Sequence, residues 1–247
     1  MNDMTSVFAK GKAVVPFITA GDPDAASTVK YILAMAEGGA DMIVVSVPFS
    51  DPTAESPAAQ EASLRALSGG MTPDGVLEIL RTVCKKCDIP VLLTSYMNPV
   101  FFYGYDAFFS ALGDIGAAFY TPDLPYEERG EISDIAAVHG VPVLTAVASS
   151  SGSRIPAIAS AASGFVLIAS PSDDPTGDDL AAAAKEVRKY TSVPVVADLG
   201  ALGLDRASAA APFDGVVTSY PVRLIASGAT PSALGEYISE LKKKINS

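Results

Sequence analysis

Short runs of aliphatic and β-branched residues recur from one end of the chain to the other: AVVPFI from Ala13, MIVVSV from Met42, PVLLTS from Pro90, GAAFY from Gly116, PVLTAV from Pro142, GFVLIA from Gly164, VPVVAD from Val193 and DGVVTS from Asp214. Each is nearly continuous in its hydrophobicity rather than alternating, which suits a strand of a parallel sheet covered on both faces. Between them the apolar positions fall at helical spacing, over 25–37, 73–84, 105–112, 127–139, 153–162, 179–190 and 205–211, with a closing helix over 231–245. Two further helices break the simple alternation, one over 57–67 after the second strand and a short one over 220–226 after the eighth. Eight β/α units at this length predict a (β/α)8 barrel built from residues 1–247 as one domain, with active groups on the loops after the strands' C-terminal ends. A doubly wound open sheet is the alternative, weakened because no G-x-G-x-x-G follows the first strand.

Composition narrows the function. Seventeen Lys and Arg against 28 Asp and Glu leave a net charge of −11, which repels nucleic-acid backbones and anionic lipid surfaces alike. No apolar run reaches the ~18 residues that span a bilayer, and the opening MNDMTSVFAKGKAVV lacks a signal peptide's uninterrupted apolar stretch, so a cytoplasmic protein is expected. Cys84 and Cys87 have C-x-x-C spacing, but there is no second ligand pair and His139 is the one histidine, so they read as reduced thiols. No cofactor and no metal are expected.

The loops carry more specific patterns. FITAGDPD at 17–24, SVPFSDPTAESP at 46–57, YMNPVFFYG at 96–104 and PDLPYEE at 122–128 together resemble the tryptophan synthase alpha subunit family, a match running from about Val14 to Glu128. Beyond Gly164 it rests on barrel rhythm and on the pieces PTG at 175–177 and LGALG at 199–203. The resemblance implies a (β/α)8 barrel that splits indole-3-glycerol phosphate into indole and glyceraldehyde 3-phosphate and passes indole to a beta subunit. Such a reaction needs an acid to protonate the indole ring carbon, a carboxylate near the indole nitrogen, and a cradle for the phosphate.

Held against those needs, the sequence departs at several points. The position of the family's proton-shuttling glutamate, four residues before the proline of the V-P-F-S-D-P motif, is Val44, which transfers no proton. The second carboxylate corresponds to Glu55, one methylene longer than the usual aspartate, and Ser56 replaces the glycine after it. Phe17 and Thr19 match pocket positions. Gly177 and Gly200 match two cradle glycines, but the Gly-Ser pair after the eighth strand is Ser219 and Tyr220 followed by Pro221, which has no N–H, and Asp198 stands where a glycine is usual. The lid segment after the sixth strand, with Asp173, Asp174, Asp178 and Asp179, is short and acidic. By contrast Asp51, Pro52, Asn98, Phe101, Asp123 and Pro125 match positions that face the beta subunit or carry the signal between subunits.

Plainer roles stay open for these residues: a turn for Asp51 and Asn98 beside their prolines, a first-turn helix acid for Glu55, packing for Phe17. Tyr120 and Tyr220 are expected to point into the pocket. The expected function is an alpha-subunit homologue, catalytically impaired, that docks on a beta subunit and modulates it. The alternatives are an active lyase using Glu55, and a barrel enzyme with a new, non-phosphate substrate.

Overall fold

The computed structural model describes residues 4–170 and 177–247. Eight parallel strands, β1 (Ala13–Thr19), β2 (Ile43–Ser46), β3 (Val91–Thr94), β4 (Ala118–Tyr120), β5 (Thr145–Ala148), β6 (Val166–Ala169), β7 (Val195–Asp198) and β8 (Gly215–Thr218), pair in the order β4-β3-β2-β1-β8-β7-β6-β5. The ring closes between β4 and β5 through one bridge, Phe119 to Val143, in which the Phe119 N–H donates to Pro142 O at 2.8 Å and the Leu144 N–H to Phe119 O at 2.8 Å. The apolar run from Pro142 therefore enters its ladder only at Thr145, and the C-terminal halves of β4 and β5 are not laddered together.

Strand alternation divides the side chains. Val15, Val44, Leu92, Leu167, Val196 and Val217 fill the barrel, while Val14, Val45, Leu93, Ile168, Ala197 and Val216 pack outward against helices. Gly215 is fixed by this packing, since a Cβ there would come within 2.9 Å of the Ala13 Cβ.

The helices are α1 (Ala25–Glu37), α2 (Pro57–Ser68), α3 (Pro73–Cys84), α4 (Met97–Tyr103), α5 (Tyr105–Ile115), α6 (Gly130–Val138), α7 (Ile155–Ser160), α8 (Gly177–Val187), α9 (Tyr220–Ala226) and α10 (Pro231–Ile245). Local chemistry sets several starts: Asp24, Ser56, Thr72 and Thr230 each accept a backbone N–H three residues on, and Pro57, Pro73 and Pro231 open their helices. Three expectations are corrected. Residues 205–210 lie in a 3-10 segment, Leu204–Ala210, capped by Ala211, rather than an α-helix. Residues 127–139 and 153–162 each divide into a 3-10 turn and a short α-helix, and in the second case Gly152 at φ 50°, ψ −123° breaks the helical path. Helix α4 was hidden by Pro99, which is tolerated because it falls in the first turn, where its missing N–H is not needed.

Among the described residues no helix is long and apolar enough to cross a membrane. Cys84 and Cys87 are half-buried free thiols.

Candidate active site and docking rim

The barrel mouth holds a mainly apolar cavity of about 280 Å³, with Phe17, Val44, Leu92, Tyr120, Leu167 and Val217 in its wall beside Glu55 and Asp198. Val44 faces inward because β2 alternates, so the side chain where the family resemblance implies an acid reaches the floor of this cavity as an inert isopropyl group. Glu55 arrives from the loop before α2. Ser46 Oγ donates to its Oε1 at 3.1 Å, while Oε2 is buried without a hydrogen-bond partner among the described residues. Burial in this apolar wall pushes the Glu55 carboxyl up to about 7, and the Ser46 hydrogen bond only partly opposes it.

The loop carrying Glu55 is held from its neighbour. Tyr96, just after β3, accepts the Ala54 N–H at its hydroxyl at 2.9 Å and packs its ring 5.2 Å from that of Phe49. Burial raises the Tyr96 hydroxyl to about 12, so it stays protonated. The loop after β1 is clamped by Asp22, only 2% exposed, which takes a two-pronged ion pair from Arg65 of α2 at 2.8 Å. Thr19 is buried with its hydroxyl unpartnered among the described residues and forms no part of the cavity wall.

Next to β1 around the mouth, the loops after β8 and β7 satisfy several of their backbone donors among themselves. The Gly200 N–H donates to Asp198 Oδ1 at 2.9 Å, the Ser219 N–H to Gly200 O at 2.8 Å and the Tyr220 N–H to Thr218 Oγ1 at 3.2 Å. What remains between Glu55, Asp198, Gly200 and Ser219 is a recess of about 60 Å³. Tyr220 does not point into the mouth as expected. It opens α9, beyond the reach of strand alternation, and its ring lies 4.8 Å from that of Tyr237, in the wall of a separate hollow with Leu204 and Arg223. Tyr120, still in its strand, does line the mouth. Gly177 is the first residue of α8; the lid segment 171–176, with Asp173, Asp174 and Pro175, lies outside the described residues.

The residues matched to subunit docking gather on one side, after the neighbouring strands β2, β3 and β4, with Asn98 and Phe101 in α4 and the others on loops. Asp51, Asn98, Phe101, Asp123 and Pro125 are exposed and Pro52 is half-buried. Asp123 fixes this rim: its carboxylate accepts the Met97 N–H at 3.1 Å, capping α4, and the Thr121 hydroxyl at 2.6 Å. Beside Phe101, 68% exposed, stands Phe102 at 93%, which the sequence reading passed over. The doubled aromatic in FFYG was its signal. Tyr96 and its hook on Ala54 carried no signal at all, because the contact joins two loops.

A family described as tryptophan synthase alpha chain matches residues 5–244. The tryptophan synthase alpha chain of Lacticaseibacillus casei is 36% identical over 257 aligned positions, covering 100% of this chain and 96% of that protein. The crystal structure of tryptophan synthase subunit alpha from Legionella pneumophila superposes with a TM-score of 0.89 at 29% identity, over 99% of this chain and 98% of the other. A chain of Mycobacterium tuberculosis tryptophan synthase gives 0.90 at 26%, over 99% and 98%.

Proposed function

The chain belongs to the tryptophan synthase alpha chain family, and we propose that it serves tryptophan biosynthesis in the cytoplasm as a partner that docks on a beta subunit and modulates it, turning over indole-3-glycerol phosphate slowly or not at all. The observation that carries this reading is the engagement of the Gly200, Ser219 and Tyr220 N–H groups by acceptors of the loops after β7 and β8 themselves. A phosphate arriving there would have to break those bonds and sit beside Asp198, a repulsion of about 1 to 4 kcal/mol at contact distance. Val44 adds the loss of the ring-protonating acid, which alone lowers rates by roughly 10²- to 10⁴-fold. The rim of Asp51, Asn98, Phe101, Asp123 and Pro125 supports retained docking, since its groups are exposed and held in place by Tyr96 and Asp123.

The test is indole release from indole-3-glycerol phosphate by the purified chain, with and without a beta subunit. Background release in both, together with an altered beta-subunit rate on serine plus indole, is the expected result. Substantial release by the unmodified chain overturns the reading. One observation favours a second reading, an active lyase: Glu55 shares the cavity with Val44, has no partner for Oε2 among the described residues and has a carboxyl raised to about 7, as a general acid requires. In that case release survives in the unmodified chain and vanishes in Glu55→Gln.

A further inference from the structure

Where β4 and β5 part, a cleft of about 300 Å³ opens beside the barrel mouth and shares Tyr120, Pro122, Ala148 and Ala169 with its wall. We propose that this cleft binds the carboxylate of a small aromatic acid whose ring occupies the apolar mouth, with Arg129 as the anion receptor.

Arg129 stands at the start of α6. Its Nη1 donates to Thr145 Oγ1 at 2.8 Å and its guanidinium carbon lies 4.4 Å from the centre of the Tyr126 ring. These contacts orient the group, yet among the described residues no carboxylate pairs with it. Most of its five N–H donors lack a protein acceptor there. A half-buried guanidinium without a counter-ion is costly, and burial draws its pKa below the ordinary arginine value. The other arginine in the cleft is different: Arg154 is already held by both oxygens of Glu127, with Nε to Oε1 at 2.9 Å. Among the described residues the cleft thus offers one uncommitted planar cation, whose fork fits a carboxylate and whose single positive charge balances a carboxylate's single negative charge. Tyr120 links the two spaces. Its hydroxyl has no hydrogen-bond partner among the described residues and is kept protonated by burial, so it can donate to a ligand passing from mouth to cleft.

The inference deepens the proposed function, because it rests on the loops after β7 and β8 no longer receiving an anion. Calorimetry on the full chain tests it with three probes: indole, indole-3-propionate and inorganic phosphate. Indole-3-propionate is expected to bind about tenfold tighter than indole. Arg129→Gln should erase that advantage while leaving indole affinity within about twofold, and Arg129→Lys should keep part of it. Equal affinity for the two indoles in the unmodified chain, or an advantage that survives Arg129→Gln, overturns the proposal. So does displacement of indole-3-propionate by millimolar phosphate, which would make the cleft a general anion site. Should Arg129→Gln fail to fold, the side-chain nitrogen resonances of Arg129 in the unmodified chain give the answer. They should shift with indole-3-propionate and not with indole; identical shifts count against the site. Binding is read without turnover, so a chain that released indole and still bound the acid through Arg129 would defeat only the proposed function.

Discussion

The loops after β2, β3 and β4 and the loops after β7 and β8 crown the same barrel, but they use their polar groups in opposite ways. On the first side, side chains reach across to a neighbouring loop: the Tyr96 hydroxyl takes the Ala54 N–H, and Asp123 takes the Met97 N–H. The outward surface, including Phe101 and Phe102, is left free. On the second side each loop bonds to itself or to its nearest neighbour, through Asp198 to Gly200 and Gly200 to Ser219. Backbone N–H groups are engaged on both sides, but on the first exposed aromatic and polar side chains remain for a partner, whereas on the second the Gly200, Ser219 and Tyr220 N–H groups are already taken. The two regions of one barrel rim thus differ in which of their polar groups stay available.

The largest expected effect reopens the closed side. Val44→Glu alone should raise indole release from indole-3-glycerol phosphate less than about tenfold, and Val44→Glu with Asp198→Gly by about 10²-fold or more, because only the pair supplies both an acid and a freed Gly200 N–H. A steady-state indole assay decides; full recovery in the single variant would show that the cradle is not limiting.

Next comes the clamp between the loop after β1 and α2. Arg65→Ala leaves the Asp22 carboxylate buried and should cost about 2 to 3 kcal/mol in urea unfolding, less than a fully buried pair because Arg65 is 38% exposed.

Glu55 gives a smaller, pH-dependent effect. Its carboxyl is raised in the folded state, from an ordinary 4.5 to about 7, so the folded chain holds the proton more tightly than the unfolded chain. Stability is complete below about pH 4.5 and falls as pH rises through 7. Between pH 5 and pH 8 Glu55→Gln should gain about 2 to 2.5 kcal/mol on the parent in thermal or urea melts. A parent whose stability rises over that range would contradict the burial argument.

The smallest effect sharpens the open side. Phe102→Ala should weaken binding to a beta subunit by about tenfold, or 1.4 kcal/mol, while changing stability by less than about 0.5 kcal/mol, since the ring is 93% exposed. Loss of stability without loss of binding would make Phe102 an ordinary surface residue.

Much of the fold was legible in the residues because its causes are local. Helices over 25–37, 73–84, 220–226 and 231–245 have the bounds read from periodicity, caps and prolines, and all eight strands lie within or beside their apolar runs. Strand alternation alone points Val44 into the barrel. The site was only half legible. The residue types at Val44, Glu55 and Asp198 are plain in the sequence. The capture of the Gly200 N–H by Asp198, the turn of Tyr220 toward Tyr237 and the lack of a carboxylate partner for Arg129 among the described residues are not. Periodicity and capping act over a few residues and can be read along the chain. A proton's affinity for Glu55, a donor's availability and the gap between β4 and β5 depend on which distant loops the closed barrel brings together, and only the tertiary structure decides that.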